Sequence, residues 1–264
     1  MPLFDLTGFL LTGVLSGLLA GLFGVGGGVI MVPALMFLFG HLGIGGDWVP
    51  HLAVGTSLAT IVGTGAASAL AHHRRGGVRW DLVAGLAPGI VLGAWAGAAI
   101  AGVMPELWLK RLFAAFLLYV GLRMLIPSRS ATQRPLPSKA GLWAVGGGTG
   151  VLSALVGIGG GTITVPFLAR CGVAMRQAVG TSAACGLPIA VAGAIGFLVV
   201  GWGRDGLPAF STGFVYWPAV LIMLVASMPA APLGVRLAHR LPVGLLKRAF
   251  GCFLLLVAVR LALT

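Results

Sequence analysis

Charged residues are so widely spaced along this chain that the uninterrupted apolar runs between them carry the structural signal. The runs cover positions 6–46 (with glycine interruptions), 49–73, 82–105, 112–122, 140–169, 177–203, 206–235 and 249–259. A helix crossing the hydrocarbon core of a bilayer needs roughly 20 predominantly apolar residues, so the chain has room for about eight to ten membrane segments. Little is left over for a soluble domain. The N-terminal stretch lacks the basic opening and small-residue cleavage site of a signal peptide, so it is expected to remain in the mature protein.

A repeat organises these segments. Gly24-Val-Gly-Gly-Gly28-Val-Ile-Met-Val-Pro33 returns 133 positions later as Gly157-Ile-Gly-Gly-Gly161-Thr-Ile-Thr-Val-Pro166. Ala53-Val-Gly-Thr-Ser57 returns at Ala178–Ser182, a shift of 125, so the first half carries a loop eight residues longer around positions 41–48. Leu109-Lys-Arg-Leu-Phe113 returns at Leu246-Lys-Arg-Ala-Phe250, a shift of 137. The chain therefore divides into a first repeat, 1–126, a polar basic linker, 127–139, and a second repeat, 140–264. Each repeat reads as five segments: a before the glycine run, b after it, c beginning near AVGTS, d, and e beginning at Lys-Arg.

Orientation follows from Lys and Arg, which favour the cytoplasmic side of short loops. With the first c/d loop (Arg74, Arg75, Arg79) inside and an odd number of segments per half, 13 of the 17 Lys and Arg fall inside. Only Lys110, Arg111, Arg204 and Arg260 lie outside. An even number of crossings reduces the split to roughly nine against eight, so the charges favour an inverted repeat with both termini on the external face. Charge parity leaves open whether segments a and b each cross fully or form a re-entrant hairpin. The predicted fold is an all-α polytopic membrane protein, with Gly/Pro-broken helices meeting near the midplane.

Inverted repeats with broken helices in matching positions point to a secondary transporter, its site lying where the breaks meet. Backbone freed by the glycine runs cannot face lipid, because unsatisfied N–H and C=O groups are costly there, so it must line a cavity or be buried in protein. If segment b begins at Val29 and Thr162, its first N–H groups and positive dipole end favour an anion. The candidate substrate-binding residues are therefore Gly24, Gly26, Gly27, Gly28, Gly157, Gly159, Gly160, Gly161 and Thr162, with Pro33 and Pro166 at the breaks. Thr56, Ser57, Thr181 and Ser182 add hydroxyls that can donate to an oxyanion and, being uncharged, release it again. The same hydroxyls also serve well as interhelical hydrogen bonders. Thr162 and Thr164 stand where the first repeat has Val29 and Met31, an asymmetry that would bias where substrate sits.

Composition narrows the chemistry. Charged residues make up 8% of the chain, 58% is hydrophobic and the formal net charge is +12. The mean hydropathy is +1.06. The basic residues are scattered between apolar runs instead of forming a stripe, which excludes nucleic acid as a partner. All five acids, Asp5, Asp47, Asp81, Glu106 and Asp205, fall at segment ends or loops, so no carboxylate is placed for a proton relay within the membrane. His51 is the titratable candidate nearest the motif, and it aligns with Arg176. Arg170 and Arg176 bracket the b/c loop of the second half, where they are candidates for an electropositive vestibule. His72 and His73 are expected to be solvated, and Cys171, Cys185 and Cys252 to be buried as small hydrophobes. No Cys/His ligand spacing, HExxH or nucleotide-binding glycine pattern is present, so no cofactor, metal or catalytic role is expected. Export driven by membrane potential or proton linkage needs no acidic Na+ site. An anion channel, or a carrier of a different small anion, uses the same backbone chemistry and stays open, as does a homo-oligomer.

The paired GVGGGVIMVP and GIGGGTITVP runs, each followed by AVGTS, resemble the TauE/SafE family of membrane transporters over essentially the whole chain. The resemblance implies a permease of the bacterial inner membrane for a small sulfur oxyanion, such as sulfite or an organosulfonate. The family's motifs fall on Gly24, Gly26–Gly28, Pro33 and Gly55–Ser57 in the first half. In the second they fall on Gly157, Gly159–Gly161, Pro166 and Gly180–Ser182.

Overall fold

The computed structural model describes residues 3–24, 26–126, 135–238 and 243–263, with the side chains of 3–5, 243–249 and 263 excepted. Most of the 127–139 linker therefore lies outside the described residues, as do Arg240 and the side chains of Lys247 and Arg248. The helices are α1 (Leu3–Phe23), α2 (Gly28–Leu42), α3 (Val49–His73), α4 (Trp80–Val103), α5 (Glu106–Leu125), α6 (Lys139–Val156), α7 (Gly161–Arg170), α8 (Met175–Val200), α9 (Trp217–Ala238) and α10 (Val243–Leu263). Two-residue strands β1 (Ser211–Thr212) and β2 (Val215–Tyr216) pair antiparallel in the α8–α9 loop. The five segments read in each half are thus α1–α5 and α6–α10.

Segments b start one residue earlier than expected, at Gly28 and Gly161. Gly27 and Gly160 precede them in the left-handed region, at φ 78° and 77°. That conformation turns the chain sharply from α1 into α2 and from α6 into α7, and L side chains rarely adopt it.

Small residues decide which helices touch. A methyl on Gly13 would sit 2.8 Å from the Met223 carbonyl, and one on Gly17 would strike that of Ser227, so α1 lies backbone to backbone on α9. In the second half Gly146 and Gly150 meet the carbonyls of Leu86 and Ile90, seating α6 on α4 in the same way. These contacts repeat at the sequence shifts: Gly13 and Gly17 are offset by 133 from Gly146 and Gly150, and Met223 and Ser227 by 137 from Leu86 and Ile90. Within lipid such close approach is what drives association, since apolar surface gains little by leaving one hydrocarbon for another. α3 and α8 cross at the centre and run antiparallel, with Gly55 against Phe197, Gly193 against Leu58 and Gly180 against His72.

Among the described residues, five helices are long and apolar enough to cross a membrane: Leu6–Phe23, the stretch Gly46–His73, Trp80–Val103, Met175–Val200 and Trp217–Ala238. Phe9, Phe39, Phe113, Phe197 and Phe214 are fully buried, while Leu92, Val103, Val225 and Leu256 stand outward. An outer surface so apolar suits lipid. Trp80, Trp108, Trp202 and Trp217 lie exposed at helix ends, as interfacial anchors do.

Two expectations are corrected. His72 is not solvated: the last turn of α3 presses it against α1, 5% exposed, with Nε2 3.2 Å from the Gly21 carbonyl. Of the cysteines only Cys185 is buried, while Cys171 is half-buried and Cys252 exposed. Apolar sequence neighbours do not distinguish a lipid-facing surface from the protein interior, which is why that reading failed.

Candidate functional site

The two glycine runs meet. A methyl on Gly26 would lie 2.9 Å from the Gly159 Cα, and one on Gly28 would strike the Gly157 carbonyl, so the breaks pack on each other's main chain. The GTS residues tie this crossing together across the halves. Ser57 Oγ donates to the Gly157 carbonyl at 2.9 Å, and Ser182 Oγ donates to that of Gly24 at 3.3 Å. The Tyr216 N–H donates to Thr56 Oγ1 at 3.0 Å, and the Arg79 N–H donates to Thr181 Oγ1 at 3.0 Å. Each c/d loop is thereby tied to the opposite half's central helix. All four GTS side chains are fully buried. The glycine-run carbonyls find partners in protein, as backbone removed from water must. Burial holds the Tyr216 phenol, in the loop, above its ordinary value, so it stays neutral beside this junction.

Two cavities open beside the helices that follow the breaks, α2 and α7. The first, about 680 Å³, lies between α2, α3, α5 and α10 and includes Pro33, Phe37, Glu106, Lys110 and Arg260. The second, about 330 Å³, lies between α5, α6 and α7 and includes Tyr119, Arg123, Thr149, Thr162, Pro166 and Arg170. They occupy matching places in the two repeats, since Pro33 and Pro166 are mates at 133 and Arg123 and Arg260 are mates at 137. Their chemistry differs. In the first, Arg260 lies over the Phe37 ring at 5.1 Å. In the second, the residue matching Phe37 is Arg170, and that matching Val29 is Thr162.

The remaining sequence candidates fall elsewhere. His51 is fully buried among Trp48 and Phe214, its Nε2 lying 3.0 Å and 3.1 Å from the Ala101 and Met104 carbonyls. Carbonyls only accept, so Nε2 carries the proton and the ring ties α3 to the end of α4. Arg176 donates to the Arg75 carbonyl in the opposite half's loop. Neither lines the two cavities described above. Tyr119, Thr149 and Ser153 were not singled out from the sequence. The Ser/Thr pair one helical turn apart on α6, absent as a pair from the matching stretch of α1 (Ser16, Ala20), was the available signal.

Crossed helix breaks in a lipid-ready bundle define a multi-pass, all-helical membrane protein. The chain belongs to the sulfite exporter TauE/SafE family, whose model matches residues 9–261. A probable membrane transporter protein of Haemophilus influenzae is 39% identical over 96% of this chain and 97% of its own length. Others named probable membrane transporter protein are 29% identical: one from Methanocaldococcus jannaschii, covering 91% of this chain and 87% of its own length, and one from Bacillus subtilis, covering 89% and 91%. No solved structure gives a significant match. The protein is a membrane transporter.

Proposed function

We propose that the protein exports a small sulfur oxyanion, sulfite or an organosulfonate, across the bacterial inner membrane, without catalysing a reaction. The observation carrying this reading is the crossing of the two glycine breaks, from which two helices, α2 and α7, start. Helix starts present N–H groups and positive dipole ends, which suit an anion that must bind without being held too tightly. The family's description, sulfite exporter, agrees with that chemistry. The halves, 1–126 and 140–264, are read as an inverted repeat with both termini outside. The antiparallel α3–α8 pair at the centre supports this, because two matched helices that run in opposite directions are related by an axis perpendicular to both. The candidate site comprises the glycine runs, Thr162 and the GTS hydroxyls.

Export is driven by the membrane potential or linked to protons. An anion leaving an inside-negative cell gains roughly 2.3 kcal/mol per charge per 100 mV, and sulfite, a weak acid, can carry the proton itself. Purified protein in liposomes should move sulfite faster when an imposed potential favours it, with flux that saturates and accelerates under exchange. Unsaturable flux would make it a channel, and flux following an imposed Na+ gradient would overturn the driving force proposed.

A further inference from the structure

The second cavity holds polar groups that its mate lacks, and among the described residues one hydroxyl in its lining and one close to it have no partner. Thr162 lines the cavity with Oγ1 buried and unbonded. Ser153, one turn beyond Thr149 on α6, is 2% exposed, and its Oγ is likewise unbonded. That Oγ lies 3.4 Å from where a methyl on Gly160 would be, so it faces the start of α7. Buried hydroxyls without partners are rare in native proteins, and each asks for an explanation. The helix start beside them supplies a second attraction for negative charge: the N–H groups of Gly161 and Thr162 have no partner within α7.

The fold does not require this arrangement. At the matching places of the repeat stand Val29 for Thr162, Ala20 for Ser153, Leu256 for Tyr119 and Phe37 for Arg170. Ser16, the mate of Thr149, already donates to the Gly13 carbonyl at 2.9 Å. The first cavity includes the carboxylate of Glu106, whereas among the described residues the lining of the second has arginines and no carboxylate. Arg123 and Arg170 stand exposed, with Arg170 at the far end of α7 from Thr162, roughly 12 Å along the helix at 1.5 Å per residue. The cavity thus runs from a cationic mouth to a hydroxyl floor, and its volume fits a ligand of a few heavy atoms.

We propose that this cavity, built by α6 and α7 of the second half with α5 of the first, is the loading site for a free oxyanion: Arg123 and Arg170 gather it, and Thr149, Thr162, the α7 N–H groups and, facing the start of α7, Ser153 hold it. The inference rests on the reading of the protein as an anion carrier and assigns that carrier one asymmetric site. The positive-inside reading of the sequence places Arg123 and Arg170 on the cytoplasmic face, where an exporter loads.

The test is calorimetric binding to the purified full-length protein, with sulfite, sulfoacetate, sulfate, phosphate and acetate as probes, in detergent with and without phosphatidylglycerol. The variants are Ser153→Ala/Thr162→Val, Arg123→Gln/Arg170→Gln, the conservative Thr162→Ser and, in the mate cavity, Arg260→Gln, each required to elute as the wild type does. Loss of hydrogen bonds to a charged ligand should weaken binding about tenfold or more in both double variants, with Thr162→Ser and Arg260→Gln staying within about twofold of wild type. Wild-type affinity in both double variants would overturn the site and leave the sulfur-oxyanion reading standing. Binding of phosphate or acetate only, abolished in the double variants, would support the site and overturn the sulfur reading. Competition by phosphatidylglycerol in the wild type that vanishes in the double variants would assign the cavity to a lipid headgroup and overturn the inference.

Discussion

Gly27 and Gly160 are matched in sequence and backbone yet differ in surroundings, which makes their substitutions separable. Alanine at either position must hold a left-handed conformation, costing about 1–2 kcal/mol. At Gly27 the new methyl would also lie 2.6 Å from the Ser16 carbonyl, which is main chain and cannot yield cheaply, whereas at Gly160 it meets the Ile189 Cδ1 methyl, which can. Gly27→Ala should therefore lower the melting temperature in detergent more than Gly160→Ala, and bulkier residues at either should abolish flux while the protein still inserts. Normal transport by bulky variants at both positions would reduce the glycines to packing. The serines offer a second comparison. Ser57→Ala leaves the buried Gly157 carbonyl unpaired at a cost of about 1–3 kcal/mol, and Ser182→Ala should cost less because its bond to Gly24 is longer, 3.3 Å against 2.9 Å. Thermal unfolding of the two single variants would show the order, and equal shifts would contradict it.

At the scale of elements, helix association rests on glycine contacts that recur in both halves. Gly17→Leu should separate α1 from α9, and Gly150→Leu should separate α6 from α4, each with a large loss of thermal stability. Gly40→Ala, where nothing lies within 4 Å, should change little. If Gly17→Leu unfolds the protein and Gly150→Leu does not, the two interfaces are not energetic equivalents. These pairings were not legible in the sequence. The repeat indicated that α1 and α6 are alike, but lipid-facing and protein-facing surfaces are both apolar, so no stripe of polarity marked which helix each would meet. The breaks were legible, because glycine runs and proline within apolar segments admit few other readings. The polar floor on α6 was missed for a related reason: Thr149 and Ser153 look like any small residues at a membrane helix contact until, among the described residues, Ser153 proves to have no partner.

For the whole molecule, the central prediction concerns sidedness. In a background with Cys171, Cys185 and Cys252 replaced by serine, Arg74→Cys should react with impermeant thiol reagents from the cytoplasm and Arg204→Cys from outside. Labelling of both from one side would overturn the inverted repeat.

Length, hydropathy and the paired motifs were enough, on their own, to determine an all-helical membrane protein in two related halves with two interrupted helices, because bilayer thickness and the cost of unpaired backbone in lipid act on local sequence. They also pointed to an anion, since a helix start carries its charge wherever it is placed. Only the tertiary structure decided that the two breaks pack on each other, and that the GTS hydroxyls tie the halves together at this crossing. It likewise assigned His51 to a helix tie and the unpartnered hydroxyls to one half. Those outcomes depend on which backbone carbonyl lies within 3 Å of a given hydroxyl, and that is set by helices distant in sequence, such as Ser57 and Gly157, coming into contact.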